Sequence, residues 1–171
     1  MLEYDRELCC AFTGHRDTKL PWGQNEDDPR CISLKAKLAE AARSAYEKGK
    51  RHFFVGMAMG CDMYFCEALL ALREEHPGIT IEACVPWPGQ AASWPASQVE
   101  RWGRLVNACD EETTICSHYT RACFTLRNQY MVDNSSMLIA AAGGYPGGTM
   151  NTILYALRHG LEVVQIDTES A

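Results

Sequence analysis

The segment MLIAAAGGYPGGTMNT, residues 137–152, carries the residue types and spacing most suggestive of chemistry. An apolar run empties into Gly143, Gly144, Pro146, Gly147 and Gly148, and a helix-like stretch opens at Thr149. A strand, a tight glycine loop and a helix N-terminus make an anion pocket. Glycine lets the main chain approach a ligand, and the first helical turn offers unpaired N–H groups with partial positive charge. Phosphate suits such a pocket, although the same glycines also serve as plain turn residues. Just upstream, Arg127, Tyr130, Met131 and Asn134 follow a three- or four-residue spacing, so Arg127 shares a helix face with inward residues. An arginine among apolar neighbours needs a carboxylate or a phosphate; Asp133 and Asp110 are the internal candidates.

Two further loops carry residues of the same kind. TGHR, 13–16, follows an apolar run: Thr13 and Gly14 would let the backbone touch a ligand, Arg16 would supply charge, and His15 has no partner fixed by the sequence. GMAMGCD, 56–62, supplies Gly56, Gly60 and Asp62. Asp62 could bind a ribose hydroxyl, act as a base, or simply cap the helix it precedes. Glu67, further into that helix, is either a polar partner of the site or an ordinary surface residue. Trp87 and Trp94, in PWPGQAASWP, offer flat faces that could stack a base or cover the edge of the core.

Positioning these loops requires an α/β sheet. Candidate strands cover 8–13, 52–58, 80–85, 113–116, 137–142 and 162–166, and their nearly continuous apolar content fits strands covered on both faces. Between them, Leu34, Leu38, Ala41, Ala42 and Ala45 form a helical stripe that stops at Gly49. A second helix starts near Asp62 and stops before Pro77; Val99, Trp102, Leu105 and Val106 mark a third; 124–132 a fourth; and Ile153, Leu154 and Leu157 a fifth. The expected architecture is a Rossmann-like three-layer sandwich, a mostly parallel sheet of about six strands with helices on both faces. In such sheets ligands bind beyond the carboxyl ends of the strands, where all three loops fall. The long 15–31 connection reads as a lid or a mobile loop.

Composition bounds the reading. The chain has 171 residues, 47% of them hydrophobic and 22% charged, which suits a single domain over 1–171. No apolar run approaches a membrane span, and the opening MLEYDRELCC is acidic where a signal peptide would be basic, so a cytoplasmic protein is expected. A formal charge of -6 argues against nucleic acid as a partner, whereas a small anion can still be held by a local nest of amides and arginines. The nine cysteines fit reduced, buried thiols. With no CxxC or HxxxH pair, the loose group Cys109, Cys116, His118 and Cys123 gives no metal expectation, and no sequence motif calls for a cofactor. GxSxG, a Walker lysine and HExxH are absent, which removes serine hydrolases, P-loop NTPases and zincins.

TGHR, GMAMGCD with Glu67 following, Trp94 after VPWPGQ, and RNQYMVDNSSMLIAAAGGYPGGTMNT together resemble the SLOG superfamily, and within it the YpsA-like (YspA/YpsA) group of Rossmann-like proteins. The last segment also resembles the Lonely Guy phosphoribohydrolases, which cleave the N-glycosidic bond of nucleoside 5'-monophosphates using a helix arginine and the glutamate of PGGxGTxxE. Arg127 falls at that arginine, and Gly148 and Thr149 match the GT. Thr152 stands where the glutamate would be. A threonine can neither stabilise a cationic sugar nor act as a carboxylate base, so only Asp62 or Glu67 could take over catalysis. The resemblance implies a module that binds an ADP-ribose-like or related nucleotide, with hydrolysis as the alternative. It also implies a homodimer paired through helices beside the site, and a more distant likeness to the DNA-binding DprA proteins.

Overall fold

The computed structural model describes residues 5–169. Strands and helices alternate: β1 (Cys9–Gly14), α1 (Pro29–Glu47), β2 (His52–Val55), α2 (Cys61–Glu75), β3 (Thr80–Val85), α3 (Ala96–Ala108), β4 (Glu111–Thr114), α4 (Cys123–Asp133), β5 (Met137–Ala141), α5 (Gly148–Arg158) and β6 (Glu162–Ile166). The six strands form one sheet in the order β4-β3-β2-β1-β5-β6, and every neighbouring pair is parallel. The Rossmann-like three-layer expectation is therefore met, with an entirely parallel sheet.

The central strands are those with unbroken apolar or small residues. Every residue of β2 and β5 is buried, because helices cover both faces. On one side, α1, α2 and α3 pack through Leu34, Leu38, Phe65, Leu69 and Leu105 against Phe12, Phe53 and Ile81. On the other, α4 and α5 pack through Met131, Val132, Ile153 and Ala156 against Ala11, Leu138 and Ala140. The chain thus steps outward from β1 to β4 under one layer, then crosses back through α4 to pair β5 with the free side of β1. That reversal opens a crevice above the carboxyl ends of β1 and β5.

Several boundaries differ from the expectation for identifiable reasons. β2 ends at Val55 rather than 58, because Gly56 to Ala58 turn away from the ladder, with Met57 fully buried at φ 62. A non-glycine residue held in the left-handed region beside a crevice is a place where packing overrides local preference. β4 is the polar edge segment Glu111–Thr114 rather than 113–116, since its register pairs Glu111 with Glu82. Leu154 and Leu157 do not mark the inner face of α5: they are exposed, and Ile153 and Ala156 face the sheet.

The 15–31 segment is neither a loose loop nor a detached lid. Leu20 and Trp22 are buried in the core, Trp22 Nε1 donates to the Tyr64 hydroxyl at 3.4 Å, and Glu26 accepts from Arg101 and from Lys35. No helix among the described residues is long and apolar enough to cross a membrane.

Candidate functional site

The loop after β1, the start of α2, the middle of α4 and the N-terminus of α5 enclose a cavity of about 260 Å3. Its walls include Thr13, Gly14, His15, Arg16, Asp62, Arg127, Gly148 and Thr149 from the sequence-derived set. The walls also include Phe12, Thr18, Lys19, Ala58, Phe124, Asn128 and Met131. Phe124 could have been found from the sequence, since it lies three residues before Arg127 on the same helix.

α5 opens at Gly148 with Gly147 at φ 142, and its first internal bond runs from Asn151 N to Gly147 O at 2.9 Å. Among the described residues the N–H groups of Gly148, Thr149 and Met150 find no acceptor, and no side chain caps them. Three unpaired donors at the positive end of a helix, with Gly148 and Thr149 on the cavity wall, are the elements of an oxyanion site.

Arg127 reaches the cavity from α4 and is buried, 5% exposed. It donates to Gly56 O, to Cys84 O at 3.4 Å and to Asn128 Oδ1 at 2.8 Å. The internal salt bridge does not form: Asp110 pairs with Arg73 and Asp133 accepts from the Tyr155 hydroxyl. Burial lowers the Arg127 pKa, and the Asp62 charge opposes that shift. Asp62 is likewise buried; burial raises its carboxyl pKa against the pull of Arg127 and the Ala58 N–H. Asp62 is the second residue of α2 rather than its cap, and its Oδ2 accepts from Ala58 N at 3.0 Å, closing the GMAMG turn. Asp62 is the one carboxylate among the wall residues, against three cations, Arg16, Lys19 and Arg127. The local field therefore attracts an anion even though the chain's net charge is -6.

His15 joins the three loops. Its N–H donates to Ala141 O at 3.1 Å, its carbonyl accepts from Cys61 N at 3.1 Å, and its ring Nε2 accepts from Gly143 N at 2.9 Å. The Gly143 bond requires an unprotonated Nε2, so the neutral ring carries its hydrogen on Nδ1, which is buried with no partner among the described residues. Burial, then the nearby Lys19, lowers its pKa.

The remaining candidates lie elsewhere. Glu67 pairs with Arg101 and does not line the cavity. Trp87 packs over Gly89 and against Tyr119, with ring centroids 5.8 Å apart, and Trp94 packs against the core; neither reaches the cavity wall. Gly56 and Gly60 admit protein atoms rather than a ligand. A Cβ on Gly56 would lie 2.6 Å from Arg127 Nη1, and one on Gly60 2.6 Å from Asp17 N. Gly14 packs against Cys61 in the same way, at 2.5 Å. Gly144, at φ 84, and Gly147 shape the loop without lining the cavity. Thr152 donates to Gly148 O at 2.8 Å and faces a separate groove between α4 and α5.

Among the described residues, Cys109, Cys116, His118 and Cys123 do not assemble a ligand set; His52, Glu82 and Glu111 do, with ligand atoms within 4.8 Å of one another. That cluster sits toward the amino ends of β2, β3 and β4, away from the cavity. It is knitted by hydrogen bonds: His52 to Thr80 and Glu82, and Glu82 to Tyr130 and Thr113.

Residues 10–158 match the model of the YspA SLOG family. The chain belongs to that family. Among its relatives, the SPbeta prophage-derived protein YoqJ of Bacillus subtilis (strain 168) is 28% identical over 142 residues, covering 75% of this chain and 83% of that protein. UPF0398 protein YpsA of the same organism is 21% identical over 131 residues, covering 75% and 72%. Among solved structures, DNA processing protein A (DprA) from Streptococcus pneumoniae superposes with a TM-score of 0.59 at 17% identity, over 93% of this chain. DprA from Helicobacter pylori, whose structure is described by its single-stranded DNA binding mode, gives 0.61 at 16% identity over 94%. This SLOG chain spans 50% and 65% of those two chains, and at such identities the likeness shows the fold. The glycine loop and the TGHR segment, both inside the matched residues, are two of the arms that meet at the cavity.

Proposed function

We propose that this protein binds a phosphorylated nucleotide or nucleotide-derived ligand, of the ADP-ribose type, in the cavity beyond the carboxyl ends of β1 and β5. The observation that carries the reading is the shared cavity wall of Arg127 and the uncapped α5 N-terminus, with Arg16 and Lys19 beside them. A phosphate seated there accepts from the Gly148 and Thr149 amides and neutralises the buried guanidinium. Asp62 accepts from a sugar hydroxyl, and Phe124, already under the Arg16 guanidinium at 4.9 Å, gives the apolar wall. We place the ligand-binding form in the cytoplasm as a sensor or regulatory module. We also propose a homodimer: the outer faces of α4 and α5 expose Leu126, Leu154 and Leu157 beside the site. The test is calorimetric titration of the purified protein with nucleoside monophosphates, ADP-ribose and inorganic phosphate, together with mass spectrometry of small molecules carried through purification. Saturable nucleotide binding supports the reading, and no heat with any phosphorylated compound refutes it. Light scattering of the same sample reads the dimer.

N-glycosidic hydrolysis is the second reading, favoured by one observation: a buried carboxyl with a raised pKa, Asp62, on the wall of a phosphate-sized cavity. It predicts free base from a nucleoside monophosphate, lost in Asp62→Asn and unaffected by Glu67→Gln. A single strand of nucleic acid presents the same phosphate chemistry, as the likeness to DprA suggests. Retention on single-stranded DNA at physiological ionic strength, competed by mononucleotide, would assign the cavity to that ligand.

A further inference from the structure

On the face of the sheet away from α4 and α5, two thiols meet. Cys66, fully buried in the middle of α2, lies with its sulfur 3.9 Å from the sulfur of Cys109, the residue that ends α3. They are 43 residues apart in the chain, so the contact is made by the fold and not by local sequence. Cys109 is half-buried and Cys66 sealed beneath it, which gives the pair one reachable sulfur and one protected partner.

We propose that Cys66 and Cys109 form a reversible oxidation site that gives up two electrons to a hydroperoxide and closes as an intramolecular disulfide. The surroundings assign the roles. Arg73 of α2 brackets Cys109, donating to Ala108 O at 3.0 Å and to Asp110 Oδ2 at 2.8 Å, so a guanidinium stands beside the outer sulfur. Either thiol can donate to the other; the Arg73 guanidinium favours charge on the outer sulfur, against burial and the charges of Asp110 and Glu112, while deeper burial keeps the proton on Cys66.

The chemistry balances with the peroxide as the only co-reactant. The Cys109 thiolate attacks the O–O bond and takes the terminal oxygen as a sulfenic acid. The alkoxide or hydroxide leaves with the bonding electrons and is protonated by water. Cys66 then attacks the Cys109 sulfur as its own proton passes to the departing oxygen; the S–S bond forms, the S–O bond breaks and water leaves. Closing the pair needs the sulfurs to approach by about 2 Å. Cys109 can supply that movement because it lies in extended backbone between α3 and β4, at φ -70 and ψ 157, whereas Cys66 is fixed inside a helix. Cys116, also half-buried, serves as the internal reference for unselective oxidation.

The experiment treats the full chain, purified reduced, with limiting hydrogen peroxide, then blocks residual thiols and maps peptides by mass spectrometry. The expected result is a Cys66–Cys109 linked peptide about 2 Da lighter than its parts, two of the nine thiols lost, and full return on dithiothreitol. In Cys66→Ser the linked peptide is absent and Cys109 is trapped as sulfenic acid by dimedone. Cys109→Ser, at the more exposed position, leaves Cys66 unoxidised and guards against a folding defect in the first variant. Both variants are checked by circular dichroism. The proposal is overturned if Cys66 and Cys109 both persist as thiols at peroxide levels that oxidise Cys116, or if the linkage joins another pair. It also fails if Cys109→Ser loses two thiols as the parent does.

Discussion

Replacing Gly56 by alanine tests how Arg127 is seated. The backbone there lies outside the left-handed region, so alanine costs nothing in φ. Its methyl, however, would fall 2.6 Å from Arg127 Nη1 and 2.7 Å from Cζ, where ordinary contact begins at 3.4 Å. The guanidinium must retreat by most of an ångström, and it is not a free chain end: it is buried and donates to Gly56 O and Cys84 O. Each charge-assisted bond is worth about 1.5–3 kcal/mol. Partial loss of both, with some repacking, predicts a destabilisation of about 2–4 kcal/mol. With a urea dependence of about 2 kcal/mol per M for a domain of this size, the unfolding midpoint should drop by about 1–2 M. If the same guanidinium neutralises a phosphate, affinity for a nucleotide that binds the parent should fall at least about tenfold. Urea titration followed by tryptophan fluorescence reads the first quantity and calorimetry the second. An unchanged midpoint would refute the seating of Arg127 against Gly56. A lowered midpoint with unchanged affinity would make Arg127 a structural anchor alone and remove the phosphate reading.

Gly148→Ala is the contrasting case. No atom lies within 4 Å of its added Cβ, so stability should hold or rise by up to about 1 kcal/mol while phosphate affinity drops, because the methyl occupies space kept for the ligand; equal affinity in calorimetry would contradict that. The pH dependence of His15 has a definite sign. Its pKa is lowered in the fold, so the neutral-ring contribution is complete above the unfolded value of 6.5 and is lost as pH falls through the folded value. Urea midpoints measured downward from pH 7 should therefore fall more steeply in the parent than in His15→Gln, and parallel profiles would disprove the link to Gly143. Glu67→Gln should weaken the Arg101 pairing and lower the stability by no more than about 1 kcal/mol, with ligand binding intact; lost binding would place Glu67 in the site after all.

The sheet was legible because its strands advertise themselves. CCAF, HFFV and MLIAA are covered on both faces, and continuous apolar runs between glycine-rich breaks have few other uses in a chain of this length. β4 was legible only in part: its residues Glu-Glu-Thr-Thr are held by pairing with β3 rather than by burial, and edge pairing leaves little mark on composition. Of the cavity-lining residues, those that the sequence singles out are ones whose type suits the proposed chemistry, Arg127, Asp62, Arg16 and the α5 N-terminus. Asn128 and Lys19 leave no such mark, since their place depends on which way α4 and the TGHR loop turn, whereas Phe124 is within reach through its three-residue spacing to Arg127. Trp87 and Trp94 are open to two readings in the sequence, base stacking or covering the core, and the structure shows them packed on their own chain.

The glycines show why a motif can be right about a place and wrong about a mechanism. Gly14, Gly56 and Gly60 each lack a side chain so that another part of the protein can stand there: the Cys61 side chain, the Arg127 guanidinium and the Asp17 backbone. Their joint effect is to draw the loop after β1, the turn after β2 and the start of α2 close enough to form one wall. Gly148, by contrast, has nothing within 4 Å of an added Cβ and lines the cavity. The three close packings hold Arg127 and Asp62 in place, so an anion of the proposed kind would bind without the entropy loss of ordering those groups. Alanine at the three packed positions should therefore cost stability and at Gly148, on the proposed reading, ligand affinity, and paired substitutions separate the two by whether urea midpoint or affinity responds.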